Sequence, residues 1–384
     1  MLKICKKCIQ LDTRPGIYFD KNGICGACLW NEEKKRIDWE KRRNELKEIS
    51  DWAKTNSKGN FDCIIGVSGG KDSTKQAITA RDELGLRCLL VNSEPEGITE
   101  IGKQNIENLK QNGFDVLSLR ANPHIMKRII KYDFYKYLNP VKSSEFPLWA
   151  SSYIIAEKFG IPLIIQGENA GLTLGTSLTG LGVDSNALNA DKANTLSTGW
   201  EEYLEIDGIT KNDLFLFHYE KKELEKKGIK AIWLQYFLEE WSQRNNAEFS
   251  KRYGFKEIPE EEFFPEKIGN YVRFSQLDSD LVPVNQLLKS IKMGFGKCLD
   301  FACYDLREGT ITKKEAIELV LKYDGKCDIT YIEKFCKYID ITINEFWEVA
   351  EKFRGPMWKK INGEWNNKFI EILKKELNDS HSVN

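Results

Sequence analysis

The sequence predicts an α/β protein: a parallel sheet clothed by helices, a small cysteine-rich unit before it and a mainly helical region after it. Three observations carry that expectation. Short apolar runs alternate with helical stretches from Phe61 onward. Four of the ten cysteines fall within the first 28 residues, as two Cys-x-x-Cys pairs. Beyond about residue 285 the apolar spacing becomes helical and helix-start signals recur. With 41% hydrophobic and 30% charged residues, a chain of 384 can bury a sizeable core and is not a disordered polymer. Its length suits two or three domains.

The same arithmetic narrows the function classes. No apolar run reaches the roughly 18 residues that a membrane span needs. Residues 1–8 are basic and lack the apolar stretch of a secretion signal, so the expected location is the cytoplasm. Charge is nearly balanced, with 57 basic and 58 acidic residues, and the pI is about 6.4. A protein that binds nucleic acid over its whole surface is more basic than that, so nucleic acid is an unlikely partner. Residues 1–60 do hold fourteen Lys/Arg against nine Asp/Glu. That excess could be a small RNA footprint, but such runs are more often the solvated face of a helix.

Residues 1–30 form the first unit. Cys5-Lys-Lys-Cys8 and Cys25-Gly-Ala-Cys28 are sixteen residues apart, with turn signals at Pro15-Gly16 and Asn22-Gly23 between them. Each pair can set two thiolates on one tight turn, and two such knuckles complete a tetrahedral four-sulfur site. The spacing is that of a zinc ribbon, with iron as the lesser alternative. Four protein ligands leave no open position, so Zn²⁺ there is structural. Residues 31–60 are charged, with Trp39, Leu46, Ile49 and Ala53 in a near-heptad stripe, and are expected to form a linking helix.

Residues 61–260 alternate strands and helices. Strands are expected at 62–67, 87–92, 114–119, 161–166 and 229–237, and helices at 71–84, 99–112, 123–137 and 147–159. Continuous apolar strands in βα succession mean a parallel sheet covered on both faces, and such sheets bind ligands beyond the carboxyl ends of their strands. Residues 170–215, rich in Gly, Thr, Ser and Asn, are expected to be a long functional loop region. Residues 261–384 are expected to be mainly helical, with capping boxes at Thr312-x-x-Glu315 and Thr342-x-x-Glu345.

Gly66-Val-Ser-Gly-Gly-Lys-Asp-Ser73 lies between the first strand and its helix. Glycines let the backbone turn tightly and approach a ligand. The N–H groups of a helix start then point outward as an anion site, reinforced by the helix dipole and by the Ser68 and Ser73 hydroxyls. Lys71 adds positive charge. A carboxylate beside phosphates, Asp72, makes sense as a holder of Mg²⁺. The spacing is neither that of a Walker A loop nor that of a dinucleotide turn.

The segment resembles the SGGxDS loop of the PP-loop ATP pyrophosphatases, whose fold is adenine nucleotide alpha hydrolase-like. The resemblance implies cleavage of ATP to AMP and pyrophosphate. More broadly, the knuckle, the loop, Thr99-Glu-Ile-Gly102, Gly167-Glu-Asn169, Asn245-Asn-Ala-Glu248, Tyr253-Gly-Phe255, Gly294-Phe-Gly-Lys297, Glu315-Ala-Ile-Glu-Leu-Val320 and Tyr323-Asp-Gly325 occur in an order similar to that of the N-acetyl sugar amidotransferases of bacterial surface-glycan synthesis. The resemblance covers nearly the whole chain. It implies that an acetamido group becomes acetamidino, with products in O-antigens or in pseudaminic and legionaminic acids. It also implies a partner glutaminase and a cyclase-like, ammonia-channelling companion of the histidine-synthesis type.

On that resemblance, Val67, Ser68, Gly69, Gly70, Lys71, Asp72 and Ser73 hold the ATP phosphates, and Val91, Asn92 and Ser93 lie near adenine. Gly167 faces the same crevice, Glu168 and Asn169 touch substrate or metal, and Lys297 stabilises charge at the α-phosphate. The catalytic set is Lys71, Asp72 and Lys297. Lys297 stands where an arginine is more usual. Cys298-Leu-Asp-Phe-Ala-Cys-Tyr-Asp305 departs from the family's Thr-Asp-His-Ala-Ser, and Thr99-Glu100 from Thr-Asp. These departures bear on the acceptor sugar.

An internal glutaminase is not expected. Position 2 is Leu, Cys25 is better explained by metal, and there are only three histidines, His124, His218 and His381. The alternative enzyme is a tRNA thiolase of the same superfamily. It would need cysteines near the crevice, whereas residues 89–297 contain none. Cys298, Cys303, Cys327 and Cys336 are expected to be buried structural thiols and not a second metal site. A non-catalytic scaffold is the third reading, set against the intact loop at 68–73. Trp149, Trp200 and Trp233 could stack on a sugar, although core packing is the commoner fate of such residues.

Overall fold

The computed structural model describes residues 2–176, 185–188 and 199–381. Much of the expected loop region at 170–215 lies outside the described residues. Two helices precede the sheet: α1 (Gly26–Glu33) in the knuckle and α2 (Trp39–Asn56), whose first turn is capped by the Asp38 carboxylate. Then come β1 (Cys63–Gly66), α3 (Lys71–Ile78), β2 (Cys88–Ser93), α4 (Glu100–Gln111), β3 (Asp115–Leu119), α5 (Pro123–Tyr137), α6 (Glu145–Phe159), β4 (Leu163–Gln166), α7 (Ala170–Leu174), α8 (Lys221–Lys226) and β5 (Lys230–Trp233).

The five strands form one parallel sheet in the order β3-β2-β1-β4-β5. Alternate residues serve opposite faces, as strand geometry dictates. Cys63, Ile65, Leu90, Leu163 and Ile165 join Leu46 and Ala53 of α2 and Ala77 and Ile78 of α3 in one core. Ile64, Leu89, Val91 and Ile164 join Tyr153 and Ala156 of α6 in another. Both faces are dry, which is why the strands read as unbroken apolar runs. The order reverses direction at β1, whose neighbours are β2 and β4. The crevice beyond the carboxyl ends of β1 and β4 is therefore the switch point at which such sheets bind ligands.

The remainder comprises α9 (Gln243–Lys251), α10 (Pro265–Ile268), α11 (Leu281–Met293), α12 (Lys297–Glu308), α13 (Lys313–Tyr323), α14 (Ile329–Ile339), α15 (Ile343–Lys352), the hairpin β6 (Trp358–Ile361) and β7 (Glu364–Asn367), and α16 (Lys368–His381). These elements are not a separate globule. Helix α5 puts Met126, Ile129 and Phe134 into one core with Val284 and Leu288 of α11, Phe335 of α14 and Phe346 of α15. The knuckle shares a core with Phe295, Leu299, Phe369 and Leu373.

Four local expectations need correction. The strand expected at 229–237 ends at Trp233 and tightens into a 3₁₀ turn, because the Gln235 N–H bonds the Gly167 carbonyl at 3.1 Å. The helix expected at 71–84 widens to a π-turn after Ile78. Thr312 and Glu315 form a full capping box, but at Thr342 only half of one forms, since the Glu345 carboxylate accepts from the Tyr135 hydroxyl instead. The hairpin turns at Asn362-Gly363, both with positive φ, a turn signal that the helical reading of this region passed over.

Candidate active site

The turn after β1 is built for close approach. Gly69 has φ +75°, and a Cβ there would lie 2.9 Å from the Asn105 carbonyl carbon and the Ile106 nitrogen of α4. Only glycine fits both constraints. Helix α3 starts at Lys71 with no side-chain cap. Among the described residues, the Lys71, Asp72 and Ser73 N–H groups have no acceptor, while Ser73 Oγ closes the turn on the Gly70 carbonyl at 3.1 Å. These donors face a cavity of about 160 Å³ lined by Ser68, Gly70, Asp72, Asn105, Phe274 and Asp278.

The charged pair at the helix start is held from behind by α9. Lys71, 7% exposed, pairs its Nζ with Asp72 Oδ2 at 2.7 Å. Asp72 Oδ1 accepts from Asn246 Nδ2 at 2.7 Å, and Ser250 Oγ donates to the Lys71 carbonyl at 2.6 Å. Each Asp72 oxygen thus keeps a lone pair for a ligand. Asp72 is a hard oxygen donor at the cavity wall, and among the described residues no cluster of three carboxylates surrounds it. That donor set fits Mg²⁺, which is ordinarily held by one or two carboxylates together with phosphates and water.

The roof of this cavity is the segment 274–278. It is zipped to the start of α4: the Thr99 N–H bonds the Asp278 carbonyl at 3.2 Å, the Asp280 N–H bonds the Gly97 carbonyl at 2.9 Å, and Ser279 Oγ bonds the Glu96 carbonyl at 2.6 Å. The approach needs Gly102, where a Cβ would lie 3.0 Å from Asp278 Cα. Ser68 and Asp278 also border a second cavity of about 250 Å³, whose wall includes Ser93, Met126, Val141, Leu148 and Leu281. Its greater size and apolar lining suit a nucleoside or an acceptor ring.

At the end of β4, Gly167 packs against α3; a Cβ there would lie 1.8 Å from Gln76 Nε2. Glu168 is half-buried. Burial and the Asp72 carboxylate push its pKa up from the usual carboxylate range, while the Thr173 hydroxyl, Lys71 and Lys297 pull it back. Asp278 is likewise pushed up by burial and relieved by Lys297. Lys297, the first residue of α12, is half-buried and has no ion pair or hydrogen bond among the described residues; its Nζ lies 5.3 Å from the Phe301 ring centroid.

The fold therefore brings together Ser68, Gly69, Gly70, Lys71, Asp72, Ser73, Ser93, Gly167, Glu168 and Lys297. Other expected residues serve the scaffold. The Val91 side chain lies in the sheet core, and its carbonyl accepts from the Val67 N–H at 2.8 Å. Val67 and Asn92 are buried and line neither cavity at the loop. Asn169 caps α7 by accepting from the Gly171 N–H at 3.0 Å and donates its own backbone N–H to Gln235 at 2.8 Å, so its side-chain oxygen is committed to the helix start. Trp149 and Trp233 pack edge-to-face on one another, and Trp200 stacks on His218. Asp278, Asn246 and the roof are additions that the sequence reading missed. Asn246 sits inside the quoted Asn245-Asn-Ala-Glu248, which was the available signal.

Gly294-Phe-Gly-Lys297 and Tyr323-Asp-Gly325 meet each other. The Asp324 carboxylate accepts from the Gly296 N–H at 2.6 Å and the Leu299 N–H at 3.0 Å. Asp300 pairs with Arg14 and with Lys289, the latter at 2.8 Å, and these cations hold it well below the usual carboxylate range.

The four knuckle sulfurs form a separate centre. Cys5–Cys28 and Cys8–Cys25 are 3.8 and 3.7 Å apart, and all four ligand atoms lie within 4.8 Å of one another. Zn–S bonds of about 2.3 Å in a tetrahedron put sulfurs roughly 3.8 Å apart, so the cluster fits a metal of that kind. The half-buried Arg307 guanidinium lies 3.9 Å from Cys8 Sγ. Cys303 also faces Cys8, while Cys298 and Cys336 are buried away from the loop cavities.

Strand order, switch-point crevice and open helix start define the class: a doubly wound parallel α/β protein with a glycine-rich anion turn, an N-terminal cysteine cluster and a helical C-terminal region. Residues 268–374, which supply the roof and Lys297, match the family model described as LPS biosynthesis protein WbpG-like, C-terminal domain, and this fits the family that the sequence resembles. No curated protein matches the chain. Among solved structures it is similar to an NMN synthetase from Francisella tularensis (14% identity, TM-score 0.29, covering 59% of this chain and 90% of that one). It is also similar to an NH₃-dependent NAD synthetase from Campylobacter jejuni (16%, TM-score 0.30, 58% and 98%). The fold assignment rests on the sheet itself. No described helix is long and apolar enough to cross a membrane.

Proposed function

We propose that the chain is an ATP-dependent amidotransferase of surface-glycan synthesis, which converts the acetamido group of an N-acetyl sugar to acetamidino. One observation carries the reading: an uncapped helix start, armed with Lys71 and Asp72, opens at the switch point of the sheet under a roof supplied by a domain similar to those of LPS biosynthesis proteins. An amide carbonyl is a poor electrophile, and its oxygen is a poor leaving group. Its oxygen attacks the α-phosphate, pyrophosphate departs, and ammonia then adds to the activated carbon. AMP carries the oxygen away and the amidine remains.

In this scheme the Lys71, Asp72 and Ser73 N–H groups and the Lys71 ammonium hold the β- and γ-phosphates. Asp72 would hold Mg²⁺, which supplies charge neutralisation on those phosphates. Lys297 offsets charge at the α-phosphate, and Ser93 borders the nucleoside. Glu168, its pKa raised by burial and by Asp72, takes the proton that ammonia loses on addition. Zn²⁺ in the cysteine cluster is structural, because all four positions are filled by sulfur. Ammonia would come from a partner glutaminase through a cyclase-like companion, in the cytoplasm where ATP is available. The acceptor's further identity, including pseudaminic or legionaminic precursors, belongs to the same proposal. Among the described residues no cysteine lines either cavity at the loop, which weighs against a sulfur-transfer reading.

The test is AMP release with acetamido sugars and ammonium. The wild type is expected to release AMP and pyrophosphate and to yield a product about 1 Da lighter, oxygen having been replaced by NH. Asp72→Asn is expected to lower that rate roughly 100-fold or more. A wild type that releases none with any acetamido sugar would contradict the proposal.

A further inference from the structure

Glu168 has a second side. Besides Asp72 and Lys297, the Thr173 hydroxyl acts on its pKa and pulls it down, and its charge adds to the rise that burial causes at Tyr304. Thr173 and Tyr304 line a small cavity of about 50 Å³ between the knuckle, the end of β5 and α12. None of its lining residues borders the two cavities at the loop. We infer that this cavity is the inlet through which neutral ammonia reaches the reaction centre, separate from the openings used by ATP and sugar. The inference rests on the proposed amidotransferase reading and deepens it.

Size is the first argument. A water-sized molecule needs roughly 10–15 Å³ of such space, so the cavity takes one or a few small molecules but neither a sugar nor a nucleotide. The second argument is an orphaned donor. Trp241 is 3% exposed and lines the cavity, and its indole N–H has no partner among the described residues. An N–H needs a lone pair to bond. Ammonia has one and ammonium has none.

Charge is the third argument. Arg307 and Lys34 stand in the wall, opposed by the single carboxylate Glu308, so a cation passing inward meets two others. Arg307 is anchored by its bond to the Thr173 carbonyl at 3.3 Å, and Lys34 by its bond to the Trp241 carbonyl at 3.4 Å. The Trp241 ring also reaches the reaction centre, because its edge lies 3.3 Å from where a Cβ on Gly167 would be. Glu168, the next residue, then faces arriving ammonia on one side and the adenylated carbon on the other. It is placed to accept the proton released when the C–N bond forms.

Two variants test the inlet. Gln243→Trp fills the cavity from its rim. Trp241→Phe removes the indole N–H, for which the described residues offer no acceptor, and trims the ring without filling the cavity; circular dichroism checks that each variant is folded. Each is assayed for the KM of ammonium and, without ammonium, for acceptor-dependent exchange of labelled pyrophosphate into ATP, which reports adenylation alone. The expected result is a KM for ammonium raised about threefold to tenfold in Trp241→Phe and more in Gln243→Trp, with exchange unchanged. An unchanged KM in both variants would make the cavity a water site and overturn the inlet alone, as would a parallel fall in exchange. A wild type without acceptor-dependent exchange overturns the amidotransferase reading, and the inlet falls with it.

Discussion

Two glycine-rich turns in this chain lead into helices, and they treat the bare N–H groups of the helix start in opposite ways. At α3 the groups of Lys71, Asp72 and Ser73 have no acceptor among the described residues and face a cavity. At α12 a carboxylate from 28 residues away covers the end instead, with Asp324 accepting from Gly296, just before the helix, and from Leu299, its third residue. Every helix leaves such donors at its start. A protein that fills them with its own side chain has made a structural joint, and one that leaves them open at a switch-point crevice has kept them for an anion. A glycine motif alone does not separate the two. What separates them is where the nearest carboxylate lies in three dimensions.

The contrast breaks first at Gly69. Gly69→Ala puts a Cβ against the backbone of α4 at a left-handed position, so the N–H groups must move. We expect kcat/KM for ATP to fall at least about 100-fold, measured by pyrophosphate release, with the protein still folded by circular dichroism. An alanine variant with wild-type ATP kinetics would mean that the turn does not position phosphate. The smaller effect belongs to the other turn. Asp324→Ala strands two N–H groups and is expected to cost about 1–3 kcal/mol of stability in denaturant unfolding while leaving the KM for ATP unchanged. A large rise in that KM with little loss of stability would move Asp324 from joint to site.

The legible part of the molecule is the part whose signal is local. Strands buried on two faces must be apolar at every position, so β1, β2 and β4 announce themselves, and so does a turn that only glycine can make. The cysteine pairs are legible for the same reason, since two thiols on one knuckle fix the spacing. The roof at 274–278 is not, because what holds it to residues 96–102 is a mixture of backbone bonds, single hydroxyls at Thr99 and Ser279 and one close approach at Gly102, none of which forms a pattern within segment 274–278. Asp278 and Asn246 reach the site from distant segments. Asn169 is the opposite case: a polar residue just past a strand end invites a ligand role, and the start of α7 uses its side-chain oxygen as a cap. Val91 shares a strand face with Ser93 but sits two residues further from the strand end, still inside the core.

The measurement that bears most directly on the central claim is the position of a bound, non-hydrolysable ATP analogue with Mg²⁺ in a crystal of the full chain. The account predicts its β- and γ-phosphates within hydrogen-bond distance of the Lys71, Asp72 and Ser73 N–H groups, beneath residues 274–278. An analogue bound elsewhere, with that turn still empty, would contradict it.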